Sequence, residues 1–190
     1  MRALKVFESI SVDGYFADAD GDMSFAHAVP PDADFSAWVG RNASSGRELL
    51  FGRRTFEMME AFWTSPAASE RMPAVAEGMN AATKYVASRS LVPSWANSQR
   101  LEGDLVSAAR ALKSLEGPPI VILGSGSVVA TLAEAGLVDE YQLVVIPVVL
   151  GAGRRLFTRR ESLRLVEQRA FANGNVVLSY EVARAGGATT

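Results

Sequence analysis

Pro119-Ile-Val-Ile-Leu-Gly-Ser-Gly-Ser-Val-Val-Ala-Thr-Leu132 is the stretch on which the fold turns. Pro119 to Leu123 is a short apolar run rich in β-branched residues, the pattern of a strand covered on both faces in a mostly parallel sheet. Gly124, Ser125 and Gly126 then form a turn, and Val128, Val129 and Leu132 recur at helical spacing before Gly136 as a stop. Ser125 or Ser127 is the expected cap. Strand, glycine turn and helix start make an anion site in outline. Free amides at a helix N-terminus, approached over backbone without a Cβ, suit a phosphate or a pyrophosphate. The same pattern also fits a plain strand-turn-helix corner, and a single Gly-x-Gly does not separate the two.

Composition narrows the chemistry. The chain has 190 residues and 20.3 kDa, which suits a single domain over 1–184, with the small, polar residues 185–190 as a frayed tail. Hydrophobic content of 48% beside 21% charged residues is that of a globular protein. No run of about 18 apolar residues occurs, and the first ten residues carry Arg2, Lys5 and Glu8. Neither a membrane span nor a secretory signal is expected, and the cytoplasm is the expected compartment. Cysteine is absent and His27 is the single histidine, so thiolate chemistry, Cys/His zinc sites and histidine triads have no material. A net charge of −2 with no basic patch argues against nucleic acid. Asp18, Asp20 and Asp22 alternate like a calcium loop, but the twelfth position from Asp18 is Val29 where a glutamate is needed. No metal is expected. So few reactive groups point to a bound cofactor and a small-molecule substrate.

Along the chain, Ala3 to Ile10 reads as a strand, followed by a loop to about Pro31 that is long enough to cover a site. Pro31-Asp32 opens a helix with Phe35, Trp38, Val39 and Asn42 on one face. The strand Glu48 to Phe51 runs into Gly52-Arg53-Arg54-Thr55, a second glycine-to-helix start whose guanidinium forks match phosphate oxygens. The stretch from Trp63 to Gly78, interrupted by Pro66 and Pro73, reads as loop with a helical turn or two. Thr83 to Ala87 is a strand, and Ser88 and Arg89 lie just past its carboxyl end, where open α/β sheets bind ligands. Asp104 caps a helix carrying Leu105, Ala109, Leu112 and Leu115, and Tyr141 to Ile146 is another buried strand. Ser162 to Phe171 and Val176 to Val182 are joined through Asn173-Gly174, a hairpin signal. That exposed hairpin beside buried strands is consistent with a homodimer.

These motifs, taken in order with Val12-Asp-Gly-Tyr15 and Pro147-Val-Val-Leu-Gly-Ala-Gly-Arg-Arg-Leu-Phe157, resemble the dihydrofolate reductase-like superfamily. The likeness is to the branch sharing the RibD C-terminal domain and runs from about residue 3 to residue 183. The resemblance implies a three-layer α/β sandwich: a sheet of about eight strands, mixed at its C-terminal antiparallel hairpin, with helices on both faces and NADPH across the strand ends. It places Leu123, Gly124, Ser125, Gly126, Ser127 and Val128 at the pyrophosphate turn. Gly52, Arg53, Arg54 and Thr55 fall at the second phosphate-binding helix start, and Ser88 and Arg89 at the adenosine 2′-phosphate. A Rossmann dehydrogenase fits worse, since Val129 stands where the third fingerprint glycine belongs and Pro147 follows the strand that should end in an acid. The implied activity is an NADPH-dependent reduction of a small heteroaromatic or carbonyl-like substrate. Dihydrofolate and a riboflavin-pathway aminopyrimidine are both of that kind, and Asp13, Asp34 or water would give the proton. A nucleotide-binding protein without turnover is the alternative. On the substrate side, Tyr15 stands where RibD-type reductases tend to carry lysine. The pterin-binding carboxylate of dihydrofolate reductases has its counterparts in Asp32 and Asp34, which also suit helix capping.

Overall fold

The computed structural model describes residues 1–183, so the tail expected to fray lies outside them. The elements begin with β1 (Leu4–Ser11), β2 (Tyr15–Ala17), α1 (Ala33–Ala43), β3 (Glu48–Gly52), α2 (Arg53–Trp63), α3 (Pro66–Arg71) and α4 (Pro73–Ala81). There follow β4 (Lys84–Ala87), β5 (Ser98–Arg100), α5 (Leu105–Ser114), β6 (Ile120–Leu123), α6 (Gly126–Glu134) and β7 (Glu140–Ile146). The chain ends in β8 (Arg154–Arg155), β9 (Leu163–Ala170) and β10 (Val176–Val182).

Eight strands form one sheet in the order β5-β4-β3-β6-β1-β7-β10-β9. The first six are parallel, and β10 runs antiparallel to both β7 and β9. The sheet is therefore mixed only at its C-terminal hairpin, as expected. β6 is central because Ile120, Val121 and Ile122 are all shielded, one face after the other. On one face Leu4, Val6, Leu50, Ile120 and Ile122 pack with Ala109 and Leu112 of α5 and Val129 and Leu132 of α6. On the other, Leu49, Phe51, Val86 and Val121 meet Phe56 of α2 and Val75 and Met79 of α4. There α1 lays Trp38 on Phe7 of β1, ring centroids 6.1 Å apart, and Phe35 edge-on to Phe171 at 5.1 Å. Helices on both faces complete the three-layer sandwich.

The connections place a crevice. From β3 the chain moves through α2, α3 and α4 to β4, toward one edge, whereas from β6 it moves through α6 to β7, toward the other. Crossovers of the same hand but opposite direction put α2 and α6 on opposite faces, so the carboxyl ends of β3 and β6 part at a topological switch point.

Two segments differ from expectation. The loop after β1 contains β2, antiparallel to β8 through Tyr15–Arg155 and Ala17–Arg154, and a 3-10 turn at Ser24–His27. Residues 66–81 form two helices, α3 and α4, each with proline at its start, where the missing N–H costs nothing. Lys84 is fully buried. Its ammonium donates to the carbonyls of Asn80, Ala82 and Ala96 at 3.1, 2.6 and 3.0 Å, closing the end of α4. Among the described residues no helix is long and apolar enough to cross a membrane, and no group of three or more His, Asp or Glu could hold a metal.

Candidate functional site

At the switch point the two glycine-to-helix starts touch. A Cβ added to Gly52 would lie 2.1 Å from Ser125 Oγ and 2.9 Å from Ser125 Cβ, so only glycine lets the start of α2 meet the turn before α6. That turn is made by two consecutive left-handed residues, Gly124 at φ 64° and Ser125 at φ 70°. Ser125 pays for that conformation with strain, of the kind that gathers at ligand sites. It occupies the cap position of α6, yet neither Ser125 nor Ser127 caps with its side chain. A capping serine is ordinarily extended; the left-handed backbone aims Ser125 Oγ at Gly52 instead. The Ser125 carbonyl accepts from the Val128 and Val129 N–H groups at 2.9 and 3.1 Å. The Gly126 and Ser127 N–H groups, at the first two helical positions, have no intrahelical acceptor and point at the crevice. Val128 is buried, and its Cγ2 lies 3.4 Å from the Cβ position of Gly52, so it packs beneath the turn.

The arginines divide. Arg53 is committed to Glu57 at 3.0 Å and reaches Ser90 Oγ at 3.4 Å, tying α2 to the loop after β4. Arg54 and Arg89 are exposed, and their side chains make no hydrogen bond or ion pair among the described residues. Ser88 Oγ accepts the Leu91 N–H at 3.1 Å and shapes that loop. The structure thus brings 52–55, 88–90 and 123–128 to one edge of the sheet.

Among the described residues Asp13 and Asp34 make no hydrogen bond or ion pair with this cluster or with each other. The Asp13 carboxylate accepts from Ser11 Oγ at 2.6 Å, the Leu150 N–H at 3.1 Å and the Gly151 N–H at 2.7 Å. The Ser11 hydroxyl first, then the two amides, hold it down at about 2. Asp32 caps α1 through the Phe35 N–H at 2.7 Å, leaving Asp34 exposed in the first turn. Phe16 of β2 covers the glycine turn: a Cβ on Gly126 would meet Phe16 Cζ at 2.4 Å.

Sequence reasoning passed over Glu8. It is 4% exposed, on the β1 face that also carries Leu4, Val6 and Ile10. Its Oε1 accepts the neighbouring Ser9 N–H at 3.2 Å and its Oε2 has no partner among the described residues. A Cβ on Gly124 would lie 3.8 Å from Glu8 Oε2, 3.8 Å from Thr55 Oγ1 and 3.2 Å from Thr55 Cγ2. Burial pushes this carboxyl up to about 8, against the single bond from Ser9. An acid at an inward position of an alternating strand was the available signal. A hollow of about 500 Å³ lined by Ala43, Glu48, Gly78, Thr83 and Pro118 lies at the opposite edge, at the amino ends of the strands. Parallel α/β sheets bind ligands at the other end, where the two helix starts meet.

Comparison with known proteins agrees with this architecture. The chain is 25% identical over 175 residues to the uncharacterized protein YyaP of Bacillus subtilis (strain 168), covering 90% of each. It shares its fold with a protein named for riboflavin biosynthesis from Shewanella sp. PV-4, at TM-score 0.71, 24% identity and coverage of 96% and 99% of the two chains. A pyrimidine reductase-like protein from Corynebacterium diphtheriae superposes at 0.60 with 14% identity, over 97% and 93%. A diaminohydroxyphosphoribosylaminopyrimidine deaminase/5-amino-6-(5-phosphoribosylamino)uracil reductase from Thermotoga maritima does so at 0.65 with 12% identity, over 96% of this chain and 57% of that one. Residues 2–177 match the family described as the RibD C-terminal domain, and with that match over nearly all of the sheet the chain belongs to the RibD C-terminal domain family.

Proposed function

We propose that this protein is an NADPH-dependent reductase of a small heteroaromatic substrate of the pyrimidine or pterin kind. The contact of Gly52 with Ser125 carries the reading, because it joins two helix starts into one anion cradle at the switch point. The residues present fit a phosphorylated dinucleotide. The Gly126 and Ser127 amides suit a pyrophosphate, with Gly52, Arg53, Arg54 and Thr55 beside it. Ser88 and the exposed Arg89 suit a 2′-phosphate. NADPH, when bound, supplies the hydride. The chain's own part is to position the substrate and exclude water, and β2 with Phe16 covers the turn for the second of these. Names among the related structures, a pyrimidine reductase-like protein and a uracil reductase, support the substrate class. Asp13, with its acceptors taken by Ser11, Leu150 and Gly151, serves as a tie between β1 and the turn after β7 rather than as the proton donor.

Titration with both cofactors tests the reading. NADPH should bind more tightly than NADH by at least about 1.5 kcal/mol, the lower end for a hydrogen bond to a charged group, and equal affinities would remove the role given to Ser88 and Arg89. NADPH consumption with pyrimidine-type substrates supports reduction. Binding without consumption across such a panel supports a nucleotide-binding protein instead, the alternative favoured by Asp13 being occupied.

A further inference from the structure

Among the described residues the buried ionisable side chains are matched, with one exception. Arg2 pairs with Glu48, Lys113 with Asp139, and Lys84 donates to three carbonyls. Glu8, equally buried, keeps Oε2 without a partner among the described residues. A leucine would suit its place in the alternating row of Leu4, Val6 and Ile10, and an unmatched buried carboxyl lowers stability. The unmatched oxygen is enclosed against the bare backbone of the turn: it lies 3.8 Å from where a Cβ on Gly124 would stand, and Thr55 Cγ2 lies 3.2 Å from the same point.

Its position along the sheet says which part of a ligand it would meet. β1 lies on the far side of β6 from β3 and β4, and it is the ends of β3 and β4 that carry Arg54 and Arg89. A dinucleotide with its phosphorylated adenosine over β3 and β4 and its pyrophosphate at the α6 amides extends its other half over β1. We infer that the Glu8 carboxyl hydrogen-bonds the nicotinamide-ribose half of the dinucleotide at the Gly124 turn. The inference rests on the reductase reading above and deepens it with a residue that recognises the reacting end. Burial keeps the group protonated at neutral pH, so it brings a donor as well as acceptors to the ligand.

The test compares wild type, Glu8→Gln and Glu8→Leu by titration with NADPH and with 2′,5′-ADP, which lacks the nicotinamide-ribose half, alongside thermal melts. Glu8→Leu should weaken NADPH at least about tenfold, the scale of one lost hydrogen bond, leave 2′,5′-ADP within about twofold, and raise the melting temperature. Glu8→Gln, which keeps a donor and an acceptor, should bind NADPH within about threefold of wild type. NADPH affinity unchanged in Glu8→Leu overturns the inference. So does an equal loss for both ligands with a lower melting temperature, which would mean that Glu8 merely supports the turn. Wild type that binds neither ligand overturns the dinucleotide reading itself, and the role of Glu8 falls with it.

Discussion

Two carboxyls five residues apart on one strand and its exit are driven in opposite directions: Glu8 up to about 8 and Asp13 down to about 2. Their chemistry is alike and their surroundings are not. Glu8 is enclosed with one backbone donor, whereas Asp13 faces a hydroxyl and two amides that favour its charged form. The signs of their linkage differ accordingly. The stability that Asp13 contributes is present above its ordinary value of 3.8 and is lost as pH falls through about 2. The folded state favours protonated Glu8, so that contribution is lost as pH rises from 4.5 through about 8. Asp13→Asn should free the turn after β7, because an amide nitrogen cannot accept from the Gly151 N–H. Hydrogen exchange at Leu150 and Gly151 should quicken at neutral pH while β6 and β7 stay protected, and unchanged exchange there would show that the tie holds nothing. Asp13 was legible in Val12-Asp-Gly-Tyr15 as a candidate proton donor. Its tie to residues 150 and 151 was not legible, since the two sites are separated by more than a hundred residues of chain.

At the scale of elements, the start of α6 is constrained from two sides, by Gly52 of β3 below and by Phe16 of β2 above. The second contact gives Gly126 a structural reason to be glycine, independent of any ligand. A double-mutant cycle separates the two reasons. Gly126→Ala should lower the melting temperature, and Phe16→Ala should relieve most of that loss, because the ring is what the new methyl meets at 2.4 Å. NADPH affinity should stay low in the double variant if backbone approach to the pyrophosphate is what Gly126 allows. Recovery of affinity along with stability would assign the glycine to Phe16 alone. Helices α3 and α4 show the limit of local reading. Pro66 and Pro73 read as breaks in one segment, yet each opens a helix, and the buried face of α4 is recognisable only once Val75 and Met79 are seen against Phe51 and Trp95.

For the whole molecule, the outer edge of the sheet is β9, an eight-residue strand with Leu165 48% and Val166 53% exposed. A long, partly apolar edge invites pairing, and we propose a homodimer built on it. Sedimentation equilibrium should give twice the chain mass of 20.3 kDa, and Val166→Lys should return the monomer; a wild-type monomer would end the proposal. The sequence by itself determined the longer strands of the main sheet, helices α1, α2, α5 and α6, the buried strand 120–123, the antiparallel hairpin and the two glycine-to-helix starts. Each rests on the spacing of apolar residues and on backbone freedom within about ten neighbours along the chain. Only the tertiary structure decided that Gly52 touches Ser125, that β2 pairs with β8 to lay Phe16 over the turn, and that Glu8 Oε2 lies near Gly124 with no partner among the described residues. Those contacts join residues tens to more than a hundred positions apart. They follow from how the crossovers leave β3 and β6 toward opposite edges of the sheet, a property of the folded topology that no local window of sequence contains.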